Sequence, residues 1–515
     1  MARIANAVRP RLASAVTAAR PRLVGLARAV RVRPGHLPRL PRTVRTWQYT
    51  AGAATAGLAL AAGVVTVTGP WDANGQRTAE RDRAAALERS GGADHGGSGT
   101  AGGGLRPAPS AAPVLAALGG TTSAVGTKKA PPAPEDLTGR LKPLLDAPAL
   151  PGPHAAAVVD VATGTRLYGA DAGKALTPAS TTKIATAVAA LSALGPDHRL
   201  TTRTALEPDT RELVLVGGGD PTLTAHARTD GWAGLRALAA DTAEALDRRG
   251  IHKITLSYDT TLFTGPALHP IGVNDNLAPV SALTVDEGRT DGSAGGPVTR
   301  VGDPAADAAA RFAGFLKDAG ITTTSPGPSK ASTRAQTLAT VSSPPLSALV
   351  ERMLTNSDND IAEALARHTA LAGGQPASFS GGAEAIATQL RKLGLPMAGA
   401  AFHDGSGLDR DDRLTAGLLT ALLVKAGDPQ RPGLRPVLTG LPVAGFTGTL
   451  STRYADGAAG VVRAKTGTLT GVNTLAGTVV DGNGRLLAFA FLASGTTSAP
   501  EAQAALDKAA TALAG

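Results

Sequence analysis

Pro178-Ala179-Ser180-Thr181-Thr182-Lys183-Ile184 opens a helical pattern in which Ile184, Ala187, Val188, Leu191 and Leu194 recur at three- and four-residue intervals until Gly195-Pro196 ends it. Ser180 then lies at the helix start, and Lys183 returns to the same face one turn later, where its amine can approach the hydroxyl. A serine hydroxyl is a poor nucleophile without a base, and a lysine held among neutral or cationic neighbours can lose its proton. The helix N-terminus adds backbone N–H groups and a positive field that favour an oxyanion. Taken alone, a Ser-x-x-Lys is more simply an ordinary helix cap followed by a solvated lysine.

Two further motifs change that balance. Ser357-Asp358-Asn359 falls between the helical stretches 346–353 and 361–368. A Ser-x-Asn in such a loop can put its hydroxyl beside the lysine and its amide on a substrate backbone; by itself it is a cap for the following helix. Lys465-Thr466-Gly467-Thr468 sits just before a pair of strands, 474–480 and 486–492, around the turn Asp481-Gly482-Asn483-Gly484. There Gly467 is expected to let a substrate approach the strand edge, with Lys465 supplying charge and the threonine hydroxyls holding a carboxylate. By itself this is a hairpin turn with an exposed lysine.

The three motifs in this order resemble the active site shared by β-lactamases and penicillin-binding proteins. The span between Lys183 and Ser357 leaves room for a whole extra domain and includes Leu213-Val214-Leu215-Val216-Gly217-Gly218-Gly219-Asp220 and Ala278-Pro279-Val280-Ser281-Ala282-Leu283. Further on stand His403-Asp404-Gly405-Ser406-Gly407-Leu408 and Leu441-Pro442-Val443-Ala444-Gly445. These strings resemble the D-alanyl-D-alanine carboxypeptidase and endopeptidase family of class C low-molecular-mass penicillin-binding proteins, from about Asp136 to the C-terminus. The insertion is shorter than in the family's largest members, which carry two inserted domains.

The resemblance implies an α/β fold of the β-lactamase/transpeptidase type: an antiparallel sheet with helices on both faces, a helical subdomain and one smaller inserted domain. It implies that Ser180 attacks the penultimate D-alanine carbonyl, Lys183 takes its proton and Ser357 relays a proton to the leaving D-alanine. Asn359 positions the peptide amide, Lys465, Thr466 and Thr468 bind the terminal carboxylate beside Gly467, and the N–H groups of Ser180 and Thr468 form the oxyanion hole. Asp404 and Ser406 are expected to shape a loop and to take no chemical step. The partners implied are peptidoglycan stem peptides ending in D-Ala-D-Ala and β-lactams as covalent inhibitors, with no cofactor and no metal. A class A β-lactamase is the nearest rival, but it activates its deacylating water with a Glu-x-x-x-Asn loop, and no Asn here has a Glu four residues before it. A catalytically silent wall-binding scaffold is the other alternative.

Composition sets the location. The chain has 515 residues and a formal charge of +10, yet eleven arginines between Arg3 and Arg45 precede Trp47 with no acid among them, and the rest is close to neutral. Residues 46–71 carry no charge, and Trp47, Tyr49 and Trp71 flank the run, a pattern suited to a membrane helix with its basic side in the cytoplasm. A cleaved signal peptide, and hence a secreted protein, is the competing expectation. No aromatic or motif support accompanies the arginines as a nucleic-acid arm. With no cysteine, disulfides and thiol chemistry are excluded, and nine scattered histidines lack metal-site spacing. The expected organisation is a basic cytoplasmic segment 1–46, a membrane helix 47–71, a disordered Gly/Ala/Pro-rich linker 72–135, a catalytic domain 136–202 and 301–515, and an inserted domain 203–300.

Overall fold

In the computed structural model, which describes residues 134–324, 326–454 and 457–515, helix α1 (Pro134–Leu145) leads into the hairpin β1 (His154–Asp160) and β2 (Arg166–Ala170). Asp160 builds the turn, its Oδ1 accepting from Ala162 N and Thr163 N at 2.9 and 3.0 Å. Strand β3 (Ala175–Leu176) precedes helix α2 (Thr182–Leu194). An excursion follows through β4 (Thr201–Leu206), β5 (Glu212–Val216), α3 (Leu235–Asp247), β6 (Lys253–Asp259), α4 (Pro304–Asp318), β7 (Thr322–Thr323), β8 (Gly327–Pro328) and β9 (Gln336–Ser342). Helices α5 (Leu346–Asn356), α6 (Asn359–Ala372) and α7 (Phe379–Lys392), strand β10 (Leu414–Thr415), α8 (Ala416–Gly427) and the one-turn α9 (Pro436–Thr439) come next. The chain closes with β11 (Val462–Leu469), β12 (Val472–Val480), β13 (Leu486–Ser494) and α10 (Ala499–Thr511). The expected basic segment 1–46, the run 47–71 and the linker 72–135 up to residue 133 lie outside the described residues, the linker's last two residues opening α1, and among the described residues no helix is long and apolar enough to cross a membrane.

The larger sheet is antiparallel, in the order β11-β12-β13-β1-β2. Side chains alternate between its faces. Leu487, Phe489, Phe491 and Ala493 of β13 pack with α1 and α10, whereas Ala488, Ala490 and Leu492 join α2 and α8 on the other side. With both faces covered, β1 and β13 read as near-continuous apolar runs, which is why they are visible in the sequence. Helices α5, α6 and α7 gather around α2 through Leu349, Met353, Ile361, Leu365, Ile386 and Leu390, forming the helical subdomain.

The second sheet belongs to the excursion and has the order β7-β6-β5-β4-β9, with β8 also on β6. Its β5-α3-β6 segment is a parallel crossover, and Leu235, Leu238, Phe312 and Leu316 of α3 and α4 pack with Leu213, Leu215 and Leu256. The expected limits of 203–300 therefore need correcting. Strand β9 pairs with β4 from Thr201↔Ser342 to Leu206↔Gln336, so the insert runs from 201 to 342. Most of β9 is exposed or half-buried, and no apolar run marks it.

A second correction concerns Lys465-Thr466-Gly467-Thr468, which does not lie ahead of the strands but inside a third one. β11 pairs with β12 along its whole length, Lys465 opposite Ala476 and Gly467 opposite Thr474, and it forms the sheet's edge. An edge strand leaves alternate backbone N–H and C=O groups free for a ligand.

Candidate active site

Ser180 sits in a 3₁₀ turn, Ala179–Thr181, that runs directly into α2. In such a turn residues three apart eclipse, which brings Lys183 Nζ to 3.1 Å from Ser180 Oγ. The turn is tied to the large sheet through the Pro178 carbonyl, which accepts from Thr181 Oγ1 and from Thr474 Oγ1 on β12, both at 2.7 Å. Ala179 has a φ of +48°, a left-handed strain of the kind found where the surrounding structure fixes a functional residue.

The lysine amine is fully buried and has three polar neighbours: Ser180 Oγ, Asn359 Oδ1 at 2.6 Å and the Ser406 carbonyl at 2.7 Å. The Asn359 orientation is set by its other end, since Nδ2 donates to the Asn276 carbonyl at 2.9 Å. Both Asn359 Oδ1 and Ser406 O accept only. A neutral amine with its two hydrogens on these oxygens turns its lone pair toward Ser180, as a base must. Burial pushes the Lys183 pKa down to about 8, against the pull of Asp404, Glu363, Asp358 and Asp360.

Ser357 closes α5 in a left-handed conformation, φ +60° and ψ +39°. Glycine usually takes that place, and a serine there projects a side chain that glycine lacks. The cap of α6 is Asp358, whose side chain accepts from Ile361 N at 3.0 Å, so the motif's serine does not cap the following helix. Ser180, Ser357, Asn359, Thr466 and Thr468 line one cavity of about 340 Å³, together with Leu408, Thr449 and the insert residues Asn276, Arg289 and Arg300. On β11, Thr466 and Thr468 face this cavity, and Thr466 Oγ1 donates to Thr449 Oγ1 at 3.0 Å.

Lys465 and Gly467 occupy the opposite face of β11. Lys465 is fully buried, not exposed, and donates to the Thr466 carbonyl at 2.8 Å. Burial, and then the charges of Lys183 and Arg453, hold its pKa well below the ordinary value. A Cβ on Gly467 would collide with Thr474 Oγ1 and come within 2.7 Å of the Pro178 carbonyl. What needs the glycine is the close approach of the nucleophile's own turn, not that of a substrate as the sequence suggested.

Two buried clusters bring potential metal ligands together: His269, Glu363 and Asp404, and Glu287, Asp358 and Asp360. Protein donors already engage them. Asp404 accepts from Ser406 N, Gly407 N, Asp409 N and Ser406 Oγ and pairs with His269. Glu363 accepts from Gly405 N and faces Arg367. Glu287 pairs with Arg289 and Arg352, and Asp360 accepts from Ala278 N and Arg300. The first therefore reads as an ion-pair network behind Lys183 and the second as one in the cavity wall. The sequence showed Ser406 only as part of a loop, and it gave no signal for Asn276 or His269.

A β-lactamase-like sheet carrying a Ser-x-x-Lys turn, a Ser-x-Asn loop and a Lys-Thr-Gly edge strand around one cavity defines a serine peptidase of the penicillin-binding class. The chain belongs to the D-Ala-D-Ala carboxypeptidase 3 (S13) family, whose model matches residues 137–296 and 291–513. It is 35% identical to a carboxypeptidase of Mycobacterium tuberculosis, over 77% of this chain and 91% of that protein. It is 38% identical to the carboxypeptidase DacB of Mycolicibacterium smegmatis, over 69% of this chain and 79% of that protein. Penicillin-binding protein 4 (dacB) of Haemophilus influenzae shares the fold at 22% identity, with a TM-score of 0.59 over 73% of this chain and 97% of that one. The same protein has been solved in complex with a β-lactam, with a TM-score of 0.57, 23% identity, and coverage of 72% and 97%.

Proposed function

We propose that the protein is a serine-type D-alanyl-D-alanine carboxypeptidase that also cuts peptidoglycan cross-bridges and is acylated by β-lactams. The observation that carries this reading is the Lys183 amine, buried, pinned by two acceptors and 3.1 Å from Ser180 Oγ. Ser180 Oγ attacks the carbonyl of the penultimate D-alanine as its proton passes to Lys183. The N–H groups of Ser180 and Thr468 take the oxyanion. Ser357 relays a proton to the departing terminal D-alanine, and water then hydrolyses the acyl-serine. Asn359 Nδ2 keeps a second hydrogen for the peptide carbonyl. The Thr466 and Thr468 hydroxyls face the terminal carboxylate, and Lys465 lies buried on the other face of the strand, beneath them.

The eleven arginines before an uncharged, aromatic-flanked run support a single membrane anchor with the catalytic unit on the extracytoplasmic side. The activity is tested by incubating the full chain in detergent with a D-Ala-D-Ala-ended pentapeptide and with a cross-linked dimer. Ser180→Ala is expected to abolish product release from both. Release that survives in that variant, or none from either substrate with the wild-type protein, contradicts the reading.

A further inference from the structure

The insert reaches the catalytic centre through the loop that leaves β6. Thr264 N donates to the Ala377 carbonyl at 3.0 Å, and His269 lies beyond it, 2% exposed, its ring edge-on to Phe379 at 4.9 Å. His269 Nδ1 accepts from Ile271 N at 3.2 Å, which leaves Nε2 to donate to Asp404 Oδ2 at 3.1 Å. Asp404 in turn gathers the backbone N–H groups of Ser406, Gly407 and Asp409 at 3.0, 2.6 and 2.8 Å. The turn so formed presents the Ser406 carbonyl to Lys183.

We propose that His269 is a positioning residue for acyl transfer, through which the inserted domain fixes the Asp404 turn and so sets the orientation and basicity of the Lys183 amine. This rests on the acyl-serine reading above. Two carboxylates lie behind Lys183, Asp404 and Glu363, and each favours the charged amine that cannot serve as a base. Arg367 offsets Glu363 from within the helical subdomain. Asp404 has His269 instead, and that partner comes from the insert. Burial opposes protonation of His269, but the hydrogen bond and charge of Asp404, with smaller contributions from Glu363 and Asp409, outweigh it and raise its pKa. The other charged groups that bear on Lys183 are Asp358, Asp360 and Lys465.

Without His269, Asp404 keeps its three backbone N–H donors but loses its one side-chain partner from the insert. Its field on Lys183 is then less compensated, and the amine holds its proton to higher pH. The test is the rate of Ser180 acylation by a fluorescent penicillin, measured against pH on the full chain in detergent. His269→Ala is expected to slow acylation by roughly tenfold to a hundredfold and to move the ascending limb to higher pH. His269→Asn, polar but too short to reach Asp404, behaves the same way, while His269→Gln, which restores a donor, recovers most of the rate and the wild-type limb. Phe491→Leu, a packing control on the far face of the large sheet, lowers the melting temperature without moving the limb. Alanine and asparagine variants with the wild-type limb, or a glutamine variant no better than asparagine, overturn the proposal. A wild-type protein that takes no label sinks the acyl-serine reading instead.

Discussion

The base is made at the scale of single residues, by what surrounds Lys183. Its amine titrates at about 8 because burial outweighs four nearby carboxylates. Since only the neutral amine accepts the Ser180 proton, acylation rises with pH through that value and is slow well below it. A pH series of penicillin acylation rates checks this, and a rate already flat from pH 6 upward contradicts it. The motifs that bring Ser180, Ser357, Asn359, Thr466 and Thr468 to one cavity were legible in the sequence, because each spans only a few consecutive residues. The partners that tune them were not. Ser406 acts through its backbone carbonyl, for which any side chain would serve, and Asn276 and His269 arrive from a loop more than 80 residues away in the chain.

Among the elements, β11 and the insert carry the consequences. Gly467→Ala would drive a methyl group into Thr474 and the Pro178 carbonyl, separating the nucleophile's turn from the sheet. It is expected to lower both the melting temperature and the acylation rate, read by calorimetry and by penicillin labelling. On the apolar side of the sheet, Phe491→Ala removes a fully buried ring and is expected to cost about 3–5 kcal/mol in stability by denaturant titration. The seam between insert and catalytic domain makes a pH prediction of its own. Burial, reinforced by Asp358, raises the pKa of Glu287, and burial against the pull of Arg300 raises that of Asp360. An acid whose pKa is raised on folding stabilises the native state while protonated, and that contribution is lost as pH rises toward and through neutrality. The contribution of these two acids to stability therefore falls from pH 5 to pH 8, and Glu287→Gln is expected to remove its share, read as a smaller drop in melting temperature than the wild type shows over that range. The strands at either end of the catalytic unit were visible as apolar runs, whereas β9 was missed because a half-exposed strand with Gln, Thr and Ser along it carries no apolar pattern.

For the molecule as a whole, the architecture follows from segments far apart in sequence. β1 and β13 meet in register from His154↔Ala493 to Asp160↔Leu487, so the first and last strands of the catalytic unit close one sheet around an excursion of some hundred and forty residues. The distance between Lys183 and Ser357 foretold that long interruption but not where it ends, since its boundary is set by pairing between β4 and β9, not by local pattern. The central claim is that Ser180, made nucleophilic by Lys183, is acylated. The most direct measurement is mass spectrometry of the full chain after brief exposure to benzylpenicillin, with the modified peptide sequenced. A single penicilloyl group on Ser180, absent from the Lys183→Ala variant over the same time, is the predicted result; an adduct on another residue, or equal labelling without the lysine, would contradict it.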